Sequence, residues 1–291
     1  MNDMQVNWRK WAILRKSVAI VARMYGSALA ARAGPEDYAS RPPVLCNSFP
    51  KSGTHLLKQI LQGMGPLRDY GAFLASMPSI TFRERPPEAI AGKIAHLAPG
   101  ELAAAHLHFD PAVAAALARR HVVHLFIYRD LRDVAVSEAH YLTHMNRWHR
   151  LHRYYRAIPT DLQRITMALK GAGDAVLPYD YPDIAARFDR YHPWLGRDDV
   201  LAVKFEDLIG HDRPKAVRRI VRFYLDRCRG GGEDEAVQRA LAGIDPGRSH
   251  TYHEGKAGTW REVFTDEHRQ LARRIAGQLL IDLGYESNQN W

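Results

Sequence analysis

A chain of 291 residues can bury one large α/β core with room for insertions, but hardly two independent enzymatic domains. Hydrophobic residues at 46% and charged residues at 25% are ordinary for a folded domain and exclude a disordered chain. Lys plus Arg outnumber Asp plus Glu by 41 to 32, a formal charge of +9 that suits an anionic ligand, substrate or surface. Nucleic acid would meet that charge, yet no zinc spacing, heptad array or other reader motif accompanies it, so nucleic acid is not expected as a partner. Cys46 and Cys228 make no disulfide framework and fit a reducing, cytoplasmic compartment.

Residues 1–40 read as a basic helical extension and linker ahead of a single domain over 41–291. Trp8, Trp11, Ile13, Leu14, Val18, Ile20, Val21 and Met24 are interspersed with Arg9, Lys10, Arg15, Lys16 and Arg23. The uncharged runs fall well short of the ~18 apolar residues that a membrane span needs. Such a helix either packs on the domain or lies through its basic face on an anionic membrane surface. Gly34 to Pro43, with Pro35, Pro42 and Pro43, links it to the first strand.

Val44, Leu45 and Cys46 predict a short buried strand of a parallel sheet, which Pro50 stops. Leu56, Leu57, Ile60, Leu61 and Met64 then recur at helical spacing from about Thr54. The loop between them feeds a helix N-terminus. Ser52, Gly53 and Thr54 can turn backbone N–H groups to one spot, Gly53 permits close approach, and Lys51 adds a full positive charge, so the stretch predicts a phosphate or sulfate cradle. It is not the Walker loop, because Lys51 precedes Gly53 by two positions instead of following the second glycine.

From Gly63 to Pro99 repeated Gly and Pro predict loop and short helix, with Phe73, Met77, Ile80 and Phe82 available to an acceptor pocket. Leu102 to Phe109 predicts a second strand on which His106 and His108 project the same way, followed by an alanine-rich helix to Arg120. Val122 to Tyr128 is the clearest strand, with Arg129 at its carboxyl end. Asp130 and Asp133 form a box-like start to the next helix, and Ser137 lies two turns in. The basic and aromatic run from His144 to Arg156 reads as a solvated helix face whose rings pack inward, with a clamp on an anionic or sugar acceptor as the alternative, and the helical stretches at Leu162 to Leu169 and Ile184 to Trp194 belong to the periphery. Val200 to Phe205 predicts a further strand, and Pro214 opens a helix with Val217, Ile220, Val221 and Tyr224 inward. A glycine loop, Gly255-Lys256-Ala257-Gly258-Thr259-Trp260-Arg261, precedes a last helix over Thr265 to Leu283.

Three of these stretches resemble, in order, the signatures of sulfotransferases that use 3′-phosphoadenosine 5′-phosphosulfate (PAPS). Pro50-Lys51-Ser52-Gly53-Thr54 is similar to their 5′-phosphosulfate loop, Arg129 to Ser137 within YRDLRDVAVS to their 3′-phosphate motif, and residues 255–261 to their carboxyl-terminal GxxGxW[KR] loop. The resemblance implies a three-layer α/β/α fold with a central parallel sheet, P-loop-like, and transfer of a sulfuryl group to a hydroxyl or amine without a metal. It implies Lys51 and His106 as catalytic residues. It implies Lys51, Ser52, Gly53, Thr54, Arg129, Ser137, Gly255 and Lys256 as contacts to PAPS and to its product PAP. The acceptor is left open among small molecules, lipids and carbohydrates.

The chain also departs from the family pattern. His108 stands where the family has proline in His-Leu-Pro, so His108 is the alternative base. Phe205 stands where tyrosine is common, and His253-Glu254 where Arg-Lys is usual before the first glycine of the third loop. The rival readings are a nucleotide-binding module of the same fold without transfer activity and, by class, a metal-dependent P-loop kinase.

Overall fold

A computed structural model describes residues 18–173, 176–228, 231–245 and 256–291. Trp8, Trp11, His253, Glu254 and Gly255, singled out above, lie outside the described residues. The elements are helices α1 (residues 18–32) and α2 (Pro35–Ser40), strand β1 (Val44–Ser48), α3 (Thr54–Gly63), β2 (Phe73–Ala75), α4 (Pro87–Ile94), β3 (Leu102–His106) and α5 (Pro111–Arg119). Then follow β4 (Val123–Tyr128), α6 (Leu131–His140) with a π turn at Tyr141–Met145, α7 (His152–Ala157), α8 (Asp161–Lys170) and α9 (Ile184–Asp189) with a 3₁₀ turn at His192–Trp194. The chain closes through β5 (Val200–Lys204), α10 (Phe205–Ile209), α11 (Arg213–Leu225), α12 (Glu233–Ala242), α13 (Trp260–Val263) and α14 (Asp266–Asp282).

All five strands are parallel, in the order β2-β3-β1-β4-β5. The strands are apolar on both faces because helices cover both. Val44 and Cys46 of β1 and Val123, Leu125 and Ile127 of β4 point to one side, against Leu57, Ile60 and Leu61 of α3 and Val217, Ile220 and Val221 of α11. Leu45 and Phe126 point to the other, against Leu117 of α5, Val134 of α6, Ile165 of α8 and Phe188 of α9. This is the expected three-layer α/β/α architecture.

The chain leaves β1 toward β2 and β3 and then crosses to β4 on its other side, so β1 is the topological switch of the sheet. Ligands of open parallel sheets sit outside the carboxyl ends of the strands at such a point. The ends of β3, β1 and β4 there carry His106, the loop from Phe49 and Arg129.

Several boundaries differ from expectation. The strand read over Leu102 to Phe109 stops at His106, because Leu107 hydrogen-bonds through both its backbone groups to the Asn47 side chain of β1. Phe205 opens α10 instead of closing β5. The three-residue β2 lies inside the stretch read as loop and short helix. It pairs with β3 over Phe73–Ala75, a contact between residues about thirty positions apart that no local periodicity signals.

Candidate active site

Asn47 and Ser48 end β1, both fully buried. The loop that follows turns sharply: Lys51 is held at φ 68 and Gly53 at φ 100, both left-handed. For Lys51 that conformation costs about 1 kcal/mol or more, strain of a kind that collects at functional sites. Gly53 is the N-cap of α3 and gives it no side-chain cap, so first-turn amides face the loop without one. The Ser52 amide is taken by Phe49 O at 3.2 Å. Its hydroxyl oxygen is buried with no partner among the described residues, an orphan that an anion oxygen would satisfy.

His106, at the end of β3, is held by Ser48. Its Nδ1 lies 3.0 Å from Ser48 O and 3.0 Å from Ser48 Oγ, and that hydroxyl is 2.6 Å from Thr54 Oγ1. A carbonyl only accepts, so Nδ1 carries the proton and donates it to Ser48 O, which leaves the Nε2 lone pair as the acceptor of the ring. Burial holds the imidazole down at about 4, with Lys51 and His55 adding to the shift. The ring is neutral at physiological pH, the state a general base requires.

Burial also lowers the Lys51 ammonium to about 8; Glu138 opposes the shift and Arg129 adds to it. Its Nζ stands 3.9 Å from the centroid of the Tyr141 ring. Glu138 is itself paired with Arg187 at 2.7 Å. Arg129 donates through Nη2 to Lys256 O at 2.7 Å and lies 3.4 Å from Asp133 Oδ2. Its Nε is buried without a partner among the described residues, a free donor at the site. The Phe205 ring packs between these parts, with its centroid 4.6 Å from the Arg129 guanidinium and its edge against Gly53.

One cavity of about 580 Å³ is lined by Lys51, Gly53, Thr54, His106, Arg129 and Ser137, and Lys256 and His108 also border it. Of the residues expected to act together, Ser52 is fully buried and does not line the cavity, and Gly255 lies outside the described residues. His108 is oriented differently from His106. Its Nδ1 bonds Glu84 at 2.9 Å, its ring edge meets Tyr191, and Glu84 is in turn paired with Arg190. Burial lowers the His108 imidazole despite the Glu84 contact.

Two features escaped the sequence reading. Asp133 does not complete a capping box; its carboxylate accepts from Gly258 N at 2.7 Å and Trp260 N at 2.9 Å, tying the third loop to α6. The Asp130 amide is taken by Glu206 instead, at 3.1 Å. Asn47 and Ser48 looked like a lead-out, although two polar residues at the end of an apolar central strand are the signal that could have found them.

No family model matches the chain, and no curated protein matches it. Solved structures do. A mouse sulfotransferase, SULT7A1, solved with PAP, superposes at TM-score 0.56 with 16% identity, over 89% of this chain and 90% of that one. The chain has the sulfotransferase fold. Retinol dehydratase, solved with androsterone and the inactive cofactor PAP, matches at TM-score 0.53 and 14% identity, over 89% of this chain and 85% of that one. Its complex with retinol and PAP matches at TM-score 0.53 and 15%, over 84% and 82%. In this sulfotransferase fold the described cavity occupies the carboxyl ends of the three central strands.

Proposed function

We propose that the protein is a PAPS-dependent sulfotransferase acting on a hydroxyl or amine acceptor. The observation that carries this reading is the convergence of Lys51, His106 and Arg129 on one cavity from three adjacent strand ends. PAPS, when bound, supplies the activated sulfuryl group. Ser52 Oγ and the first amides of α3 fit its 5′-phosphate, with the helix dipole adding positive potential. Arg129 with its unpartnered Nε, Ser137 and Lys256 fit its 3′-phosphate.

His106 Nε2 takes the acceptor proton as the acceptor heteroatom forms its bond to sulfur and the sulfur–oxygen bond to the departing nucleotide breaks. The Lys51 ammonium meets the charge that grows on that departing oxygen. The cavity's Phe73, Met77 and Phe82 give the acceptor side an apolar wall. The catalytic unit is residues 41–291, and its setting is a reducing, cytoplasmic compartment, in keeping with Cys46 and Cys228 not being joined in a disulfide. Among the described residues no helix is long and apolar enough to cross a membrane.

The test is thermal unfolding with nucleotides. PAP raises Tm without magnesium and ATP raises it much less. Equal stabilisation by ATP, or a strict magnesium requirement, overturns the reading in favour of a kinase.

A further inference from the structure

Helix α1 is amphipathic in an unusual sense. Its packed side is small: Gly26 and Ala30 are buried, and Gly26 sits so close to Tyr70 that an added Cβ would lie 3.0 Å from that ring. Arg23 pins the same side by an ion pair with the buried Glu101. The large apolar side chains face away from the protein. Val18 is 60% exposed, Ile20 60%, Val21 65%, Met24 67% and Tyr25 58%. At 3.6 residues per turn these five fall within an arc of roughly 160°. A helix on a water-facing surface ordinarily turns such an arc inward.

The sequence of this segment carries charge of one sign. Residues 4–35 contain no Asp or Glu, and they carry Arg9, Lys10, Arg15, Lys16, Arg23 and Arg32 together with Trp8 and Trp11. Apolar side chains on one arc, in a segment whose sequence supplies cations and tryptophans and no acid, match the headgroup layer of an anionic bilayer in both hydrophobicity and charge. A patch that met an ordinary protein partner would have no need of an acid-free flank. The face also adjoins the cavity rim. Tyr25 meets Tyr70 ring to ring, and Phe73, three residues on, is half-exposed, lines the cavity and packs edge-on against His106.

We propose that the outward face of α1 docks the protein on anionic membrane surfaces, with the Phe73 side of the cavity alongside the bilayer. The contact is peripheral, since α1 is too short and too flanked by charge to span.

The test uses the full chain in flotation with vesicles. Wild type floats with phosphatidylcholine–phosphatidylserine vesicles, floats less with phosphatidylcholine alone, and is released by salt. Val21→Glu and Met24→Glu, placed on exposed positions remote from the catalytic groups, keep Tm and PAP binding but lower vesicle partitioning by on the order of tenfold. Four outcomes overturn the proposal. Wild type fails to float; or the two variants float as well as wild type, so that basic charge alone binds; or wild type is a dimer by light scattering that the variants dissolve, so that a second copy covers the face. A lowered Tm in both variants also overturns it, since the face is then covered from within the chain. PAP binding on the same samples tests the sulfotransferase reading separately, because it is independent of vesicles.

Discussion

At the scale of single residues, two depressed groups set the expected pH profile. Burial holds His106 at about 4, and the neutral ring is the working form, so kcat/KM falls only as pH drops through about 4. Burial holds Lys51 at about 8, and its charged form is the working one, so kcat/KM falls as pH rises through about 8. A plateau between these limbs is expected in a pH series of kcat/KM; an acid limb at the ordinary histidine value, about 6.5, would mean that His106 is not the titrating base. Replacement gives the complementary result. His106→Ala lowers kcat by ~10²- to 10⁴-fold with PAP affinity nearly unchanged, whereas His108→Ala, whose ring is tied to Glu84, changes kcat by a few-fold at most. Turnover and PAP calorimetry on both variants decide between the two histidines, and the reverse order assigns the base to His108.

At the scale of elements, the site depends on how two loops are pinned. Gly53 has φ 100, and a Cβ there would lie 2.5 Å from Phe205 Cδ2. Gly53→Ala therefore adds a steric clash to a backbone cost of about 1–2 kcal/mol. Denaturant unfolding should register at least that loss, and in a Phe205→Ala background, which carries its own cavity cost, the further effect of Gly53→Ala should shrink to the backbone part. The third loop is held by Asp133, whose removal leaves a part-buried amide at Gly258 and a buried one at Trp260 without that partner. At about 1–3 kcal/mol for each orphaned donor, Asp133→Ala should lower stability by about 2–6 kcal/mol and weaken PAP binding, since Arg129 meets Lys256 of that loop. Unfolding and calorimetry report both, and unchanged PAP affinity would separate the loop from the nucleotide site.

At the scale of the whole molecule, the +9 charge and the cavity's cations act together on an anionic ligand. PAP at a hundred times its Kd should add about 2.7 kcal/mol of stability. For a chain of this size that is a rise in Tm of roughly 4–5 °C. The rise should shrink as salt increases, because long-range attraction is screened beyond about 10 Å at moderate ionic strength while the buried Arg129 contact is not. A salt-independent shift would assign the affinity to short-range contacts alone.

What the sequence determined by itself is local. Strand, loop and helix at Val44 to Leu57, the strand ending in Arg129, and the order of three glycine- or arginine-bearing motifs are legible because apolar periodicity and turn chemistry act over a few residues. The three-layer parallel sheet was legible only through the resemblance of those motifs to the sulfotransferase signatures. Only the tertiary structure decided which polar groups meet. Asp133 reads locally as a helix-start acid yet binds amides 125 and 127 residues away. Ser48 reads as a strand end yet sets the tautomer of a histidine 58 residues on. β2 exists only by pairing with β3, and α1 reads as an amphipathic helix whose inward side no periodicity can name, since Glu101 and Tyr70 choose it from across the fold. Hydrogen bonds and ion pairs between distant segments depend on positions in space, and a parallel sheet brings such segments together only after its crossovers are made.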